Sequence, residues 1–284
     1  MTTVAGSKSW FGYAESRSTR WLLPQYLSLD IVLIALSWQG LFARTFASPL
    51  RWPVLLSTAS AVWTIYIADH LLDSRDESRI SNRHRFVRRH RHGLIALSCL
   101  LIVASCCSLI WAPLPIIVCG ASLALVVTIY AAIVHLAPAS WWPKEMVVGV
   151  VFALGSSIVA WSVPHPRLCV LFAVFLFAIV CVLNCAGLEF QEWRQYQPIR
   201  PPPHRSTAWI GSHLGPLTIL LLIGVATFGI ATQTTALALA MAVAAILQLL
   251  AIEKGRRSNP DTVRAFADAS LLTPLAILLV KSLG

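Results

Sequence analysis

Long apolar runs recur along the whole chain, and short polar segments separate them. Nine runs qualify as membrane-spanning helices, because about 20 helical residues cross a hydrocarbon core of about 30 Å. Their predicted ranges are 22–43, 52–72, 93–112, 114–135, 146–163, 168–190, 208–230, 235–252 and 266–282. Only 12% of the 284 residues are charged, whereas ordinary soluble domains carry about 25%. The runs therefore predict an all-α integral membrane protein and exclude a soluble domain.

The basic residues are distributed unevenly across the nine predicted spans. With the N-terminus on the inner side, 18 of the 22 lysine and arginine residues fall on inner segments and four on outer segments. Such an excess of positive charge is typical of cytoplasmic segments. We expect a cytoplasmic N-terminal segment over residues 1–21 and a single nine-helix transmembrane domain over residues 22–284. The expected location is a cell membrane, with the bacterial inner membrane as the leading case.

A basic run extends from Arg83 to Arg91 in the second inner segment. A run of this kind beside a membrane span is typical of a loop that binds anionic lipid headgroups. No known nucleic-acid-binding module accompanies it. Membrane lipid is therefore an expected partner of the chain, and nucleic acid is not.

A first acidic group lies at the inner end of the second predicted span. Asp69, Asp73 and Glu77 recur every four residues, so on a helix they share one face. Like charges at this spacing repel, and carboxylates near hydrocarbon are costly to keep ionised. A bound divalent cation would offset both costs, and ligands that are all oxygen favour Mg²⁺ or Ca²⁺.

A second group lies at the inner end of the sixth predicted span. Asn184 and Glu192 are eight residues apart, as are the first and last acids of the first group, and an asparagine amide oxygen is also a hard ligand. Glu189 lies about 60° around the helix from Glu192, on the side away from Asn184, so its role stays open. The alternative is that both groups are ordinary charged helix ends. Two such groups at one membrane face favour a shared metal site.

These motifs resemble those of the UbiA-type prenyltransferases, integral membrane enzymes with nine helices and two Asp-rich motifs that face the cytoplasm. The first family motif, N-D-x-x-D-x-x-x-D, is similar to D-H-L-L-D-S-R-D-E over residues 69–77, with His70 in place of the Asp at the second position of the motif. The stretch W-P-K-E-M-V-V-G over residues 142–149 resembles the segment that enters helix 5. R-S-T-A over residues 205–208, with Gly211, resembles the K-S-T-A…G segment that opens helix 7. The second Asp-rich motif departs most, because Asn184 and two glutamates stand where the family has aspartates.

The resemblance implies a UbiA-like bundle with a central cavity and a magnesium-dependent reaction. A prenyl group would pass from an isoprenoid diphosphate to an aromatic or lipid-like acceptor that the sequence does not identify. The resemblance implies catalytic roles for Asp69 and Asp73. It assigns Mg²⁺ to Asp69, Asp73, Glu77, Asn184 and Glu192. It assigns the diphosphate to His70, Lys144, Arg83 and Arg205, and stabilisation of the allylic cation to the rings of Tyr66 and Tyr130.

Several alternatives stay open. On residue type alone, Lys144 and Arg205 also fit side chains that extend to lipid headgroups, and Tyr66 and Tyr130 also fit interfacial anchors. A non-catalytic UbiA-like protein that binds or moves an isoprenoid or lipid is the second functional hypothesis. An ion-coupled transporter is disfavoured, because nearly every charge lies at a helix end. Asp30 is the exception, unless the first span begins later than residue 22.

Overall fold

The computed structural model describes residues 23–74, 82–136, 143–162, 167–196 and 202–280. The side chains of 82–84, 134–136, 162 and 257 are outside this description. The predicted N-terminal segment 1–21 and Glu77 also lie outside it. Within the described ranges every helix or strand assigned is a helix.

Thirteen α-helices follow one another in the described ranges. They are α1 (Leu23–Tyr26), α2 (Leu29–Thr45), α3 (Trp52–Asp73), α4 (Asn82–Arg89), α5 (Arg91–Leu109), α6 (Leu114–Leu136), α7 (Lys144–Ser156), α8 (Arg167–Gln195), α9 (Arg205–Ser212), α10 (Leu214–Thr232), α11 (Thr235–Lys254), α12 (Pro260–Ser270) and α13 (Thr273–Val280). Short 3₁₀ helices follow α7 at Ile158–Ser162 and α11 at Gly255–Arg257.

Seven segments of the described chain are long and apolar enough to cross a membrane. They are α3, α5, the Leu114–Ile133 part of α6, α8, α10, α11, and α12 with α13 as Pro260–Val280. This confirms a helical, multi-pass membrane protein. The other two predicted spans correspond to α2, with 17 residues, and α7, with 13. Nine spans and a UbiA-like bundle therefore stay predictions.

Three predicted spans differ from the helices in detail. The first begins at Leu29, after a break behind α1, so Asp30 lies in the first turn of α2 rather than inside the membrane run. The span over 208–230 is divided at His213 between α9 and α10. The span over 266–282 is divided between α12 and α13, where Pro274 is the second residue of α13. Proline is tolerated in the first turn of a helix and not in its interior, because it has no backbone N–H.

Helix α8 is the interior helix of the bundle, and α6 is a peripheral one. In α8, 56% of the membrane-spanning window is buried, compared with 6% in α6. Phe177 of α8 stacks on Trp38 of α2 with 4.0 Å between ring centroids. The Trp38 indole N–H also donates to the Leu271 carbonyl, between α12 and α13, at 2.9 Å. Helices α2, α8 and α12 are thereby held together around one apolar core.

Close packing of α7 on α8 depends on Gly149. A Cβ atom at this position would lie 2.7 Å from the backbone nitrogen of Val182 and 2.9 Å from its Cα. Real Cβ atoms do not approach backbone so closely, so only glycine lets the two helices pack at this distance. This contact holds the N-terminal half of α7 beside the C-terminal half of α8.

Candidate functional site

Tyr66, near the C-terminal end of α3, lies within electrostatic range of ionisable side chains on three helices. These are Asp69 one turn further along α3, Cys185 of α8 and Asp268 of α12. The ends of α3 and α8 that carry the predicted acidic groups therefore lie at the same end of the bundle. We call it the acidic end, defined by Asp69, Asp73, Glu189 and Glu192.

Tyr130, near the C-terminal end of α6, belongs to the same neighbourhood. Its side chain lies within electrostatic range of Asp69 and Asp73 of α3, of Glu145 of α7 and of Cys185 of α8. Three other helices thus contribute to the surroundings of one phenol ring. Both tyrosines predicted to stabilise a carbocation therefore lie at the acidic end.

The α3 acids differ in their surroundings from the histidine between them. The Asp69 side chain is 59% exposed, whereas His70 is buried and shares a 3.1 Å hydrogen bond between its Nε2 and the Ser28 hydroxyl. The other ring nitrogen, Nδ1, lies 3.8 Å from an Asp69 oxygen. His70 therefore joins α3 to the start of α2, and it approaches the acidic end through Asp69.

The residues of the second predicted group are bonded to α12. The Asn184 amide donates to Asp268 Oδ1 at 3.0 Å, and both side chains are buried, with 4% and 8% of their surfaces exposed. One guanidinium nitrogen of Arg264 donates to Glu192 Oε2 at 3.0 Å. Higher residue numbers on α12 pair with lower ones on α8, so the two helices run antiparallel.

The predicted phosphate-binding residues Lys144 and Arg205 open two neighbouring helices. Thr207, in the first turn of α9, donates from its hydroxyl to Glu145 Oε2 at 2.7 Å, and both residues are buried. Glu145 follows Lys144, whose ammonium lies 3.9 Å from its carboxylate. The Thr207–Glu145 bond holds the N-termini of α7 and α9 together. Arg205 is exposed, and the Arg83 side chain is outside the described set.

The acids of α3 suit a magnesium ion that takes only part of its ligands from the protein. Within the described ranges no three His, Cys, Asp or Glu side chains are grouped closely enough to hold a metal. Glu77, the third predicted ligand on α3, falls outside those ranges. Magnesium usually takes one or two protein carboxylates and completes its shell with water and substrate phosphates. Asp69 and Asp73, one turn apart on α3, fit that requirement.

Arg264, Asp268 and Glu145 were not predicted as site residues. Asp268 lies inside the ninth predicted span, and an acid in an apolar run is itself a signal of function. Arg264 precedes it by one helical turn, which places the two on one face. Glu145 lies beside Lys144 within the stretch W-P-K-E-M-V-V-G over residues 142–149, so the motif itself was the signal for it.

Two pockets are lined by residues other than the two tyrosines. One, of about 240 Å³, lies between α8, α9 and α11 and includes Gln191, Arg194 and Arg256. The other, of about 690 Å³, is apolar and lies between the N-terminal part of α8 and the C-terminal part of α10, with Phe172 and Phe228 in its wall. Neither pocket includes the predicted site residues, so the predicted central cavity stays a prediction.

No protein-family model, curated protein or solved structure matches this chain.

Proposed function

We propose that this chain is a magnesium-dependent membrane prenyltransferase. It would transfer a prenyl group from an isoprenoid diphosphate to an aromatic or lipid-like acceptor at the cytoplasmic face. The observation that carries this proposal is the surroundings of Tyr66 and Tyr130. Carboxylates of α3, α7 and α12 interact electrostatically with these two phenols at one end of an apolar bundle.

The acidic and basic side chains at the acidic end would have complementary roles in such a reaction. Asp69 and Asp73, with Glu77, would hold the magnesium ion, which when bound neutralises the charge of the leaving diphosphate. Lys144 and Arg205 would bind phosphate oxygens by charge-assisted hydrogen bonds. The Thr207–Glu145 bond supports this role, because it keeps the helix ends that carry Lys144 and Arg205 together.

The transfer breaks the bond between the prenyl C1 carbon and the diphosphate oxygen, and the diphosphate departs with the electron pair. A nucleophilic atom of the acceptor forms a new bond to C1, and the acceptor then loses a proton. The electron-rich faces of Tyr66 and Tyr130 would stabilise the positive charge that develops on the prenyl group. The surrounding apolar helices provide a medium for its hydrocarbon tail.

The contacts of α8 favour a second candidate, a non-catalytic protein of the same architecture that binds or moves an isoprenoid or lipid. Glu192 Oε2 accepts a hydrogen bond from Arg264 and the Asn184 amide nitrogen donates to Asp268, whereas the buried Asn184 amide oxygen has no hydrogen-bond partner. Metal ligation through Glu192 Oε2 would require exchange of its bond to Arg264. The acids of α3 favour the enzyme, because simple lipid binding has no need of aligned carboxylates.

Diphosphate binding separates the two candidates. We would titrate the purified chain with geranylgeranyl diphosphate and follow its melting temperature, with Mg²⁺ and with EDTA. Stabilisation that requires Mg²⁺ and disappears in Asp73→Asn is expected for the enzyme. Glu253→Gln is the matched control, because Glu253 pairs with Arg256 away from the tyrosines and should leave the response intact. The same stabilisation in EDTA, or none with any chain length, would contradict the enzyme.

A further inference from the structure

Arg264 of α12 lies close to acidic side chains of α8 and of its own helix. Its guanidinium donates to Glu192 at 3.0 Å and interacts electrostatically with Asp268 and Glu189. Three carboxylates close to hydrocarbon need a cation, because their mutual repulsion is weakly screened there. Arginine suits such a place, since its planar fork matches a carboxylate and it stays charged.

Among the described residues, the α8 acidic group offers few ligands to a metal ion. No three His, Cys, Asp or Glu side chains are grouped closely enough to hold one, and the buried, unpartnered Asn184 amide oxygen is a single ligand atom. Magnesium requires ligand oxygens at about 2.0–2.1 Å in octahedral order. Glu192 Oε2 already accepts a hydrogen bond from Arg264, and Asp268 Oδ1 accepts one from the Asn184 amide. A metal ion bound by Glu192 Oε2 would have to displace the guanidinium.

The charge of the group leads to the same conclusion. An aspartate at position 184 with no arginine at position 264 would make the group two charges more negative. A Mg²⁺ ion carries two positive charges, which would offset that difference. The neutral amide of Asn184 and the cation of Arg264 therefore supply electrostatically what one divalent ion would supply.

We propose that Arg264 is the resident cation of the α8 acidic group, in place of a second metal ion. Divalent cations then bind at the acids of α3, with Asp69 and Asp73 among the described residues, and not at the α8 acidic group. The expected number of bound ions rests on the proposed function, whereas the role of Arg264 in neutralising the acids does not. The two are therefore tested in separate arms.

The first arm counts metal ions on the full-length chain in detergent. Mn²⁺ replaces Mg²⁺, and its binding is measured by electron paramagnetic resonance in the presence of geranylgeranyl diphosphate without acceptor. We expect one ion per wild-type chain and none in Asp73→Asn. We expect a second ion in Arg264→Gln, lost again when Glu192→Gln is added. Arg256→Gln, which removes an exposed arginine paired with Glu253, should leave the count at one.

The second arm measures melting temperature without diphosphate. Arg264→Gln should melt lower than wild type, and Mn²⁺ should restore part of the loss. The double variant Glu192→Gln/Arg264→Gln should melt higher than Arg264→Gln without any metal, because it removes one of the acids that need a cation. This variant also keeps the test usable if Arg264→Gln alone folds poorly.

Three results would overturn the proposal. The first is two ions per wild-type chain, one of them lost in Glu192→Gln. The second is an unchanged melting temperature in Arg264→Gln. The third is a fall in melting temperature that Mn²⁺ does not relieve. No ion on the wild type, together with Mn²⁺-dependent stability of Arg264→Gln, would contradict the proposed function and still support the role of Arg264.

Discussion

At the scale of single residues, the most informative contact is the buried hydrogen bond from Thr207 to Glu145. Thr207 is completely buried, and its hydroxyl lies 2.7 Å from a carboxylate oxygen that is itself buried. Leaving a buried acceptor without its donor costs more free energy than the intact hydrogen bond contributes to stability, because water cannot replace the donor. This bond therefore matters both for stability and for the alignment of α7 with α9.

Thr207→Val should destabilise the protein by about 1–3 kcal/mol, because valine keeps the shape of threonine and removes the donor. Thermal unfolding in detergent measures the loss. Thr128→Val is the matched control, since Thr128 is exposed and donates only to the Ala124 carbonyl of its own helix. Equal melting temperatures for the two variants would show that Glu145 does not depend on Thr207.

The side-chain hydrogen bonds between α8 and α12 are the contacts that sequence patterns predict least well. The periodicity of Asp69 and Asp73 shows from the sequence that they share a face, because they belong to one helix. The bonds Asn184–Asp268 and Glu192–Arg264 join residues 84 and 72 positions apart. They exist only because α12 packs antiparallel on α8, and no local pattern encodes that packing.

At the scale of helices, α7 and α8 approach each other closely at Gly149. Gly149→Ala would place a methyl group against the backbone of Val182, which cannot rotate away as a flexible side chain can. Overpacking of this kind costs about 1–3 kcal/mol. Gly93→Ala is the control, because a Cβ atom there meets nothing within 4 Å. In that variant the better helix propensity of alanine should leave stability unchanged or slightly higher.

Melting temperatures of both glycine variants in the same detergent test this prediction. A separation of α7 from α8 should also weaken the Mg²⁺-dependent response to diphosphate, because Glu145 and Cys185 lie on these two helices and both interact with Tyr130. Gly149→Ala that melts like Gly93→Ala would show that the two helices are free to move apart without loss.

Hydropathy located uninterrupted helices well and their breaks poorly. The predicted ranges 52–72 and 235–252 match α3 at Trp52–Asp73 and α11 at Thr235–Lys254, because an apolar run in lipid satisfies its backbone only as a helix. The break between α12 and α13 lies within apolar residues and leaves hydropathy unchanged. Pro274 was the local signal for it, as proline marks the start of a new helix.

At the scale of the whole molecule, the number of membrane crossings determines whether the two acidic groups share a face. Helix α7 begins at the acidic end, since Glu145 interacts with Tyr130, and α8 finishes there with Cys185 and Glu189. The chain between them must therefore reach the opposite end of the bundle. The 13 residues of α7 extend about 20 Å. The five residues of the following 3₁₀ helix add about 10 Å.

That combined length matches a hydrocarbon core of about 30 Å, so we expect α7 with its 3₁₀ extension to cross the membrane. Helix α2 makes the same case, because Ser28 at its start bonds to His70 near the end of α3. The start of α2 therefore lies at the acidic end, and α2 runs antiparallel to α3. Its 17 residues extend about 25 Å. These two helices would raise the seven apolar spans to nine.

Cysteine labelling tests the crossing by α7 directly. In a variant without the seven native cysteines, Arg88→Cys and Arg167→Cys each place one thiol at an exposed position on either side of α5, α6 and α7. In intact spheroplasts of a bacterial expression host, a membrane-impermeant maleimide should label position 167. It should reach position 88 only after permeabilisation, because three crossings separate the two. If both positions were labelled only after permeabilisation, α7 would not cross the membrane. The acids at the end of α8 would then face the opposite compartment from Asp69 and Asp73, and no shared site would exist.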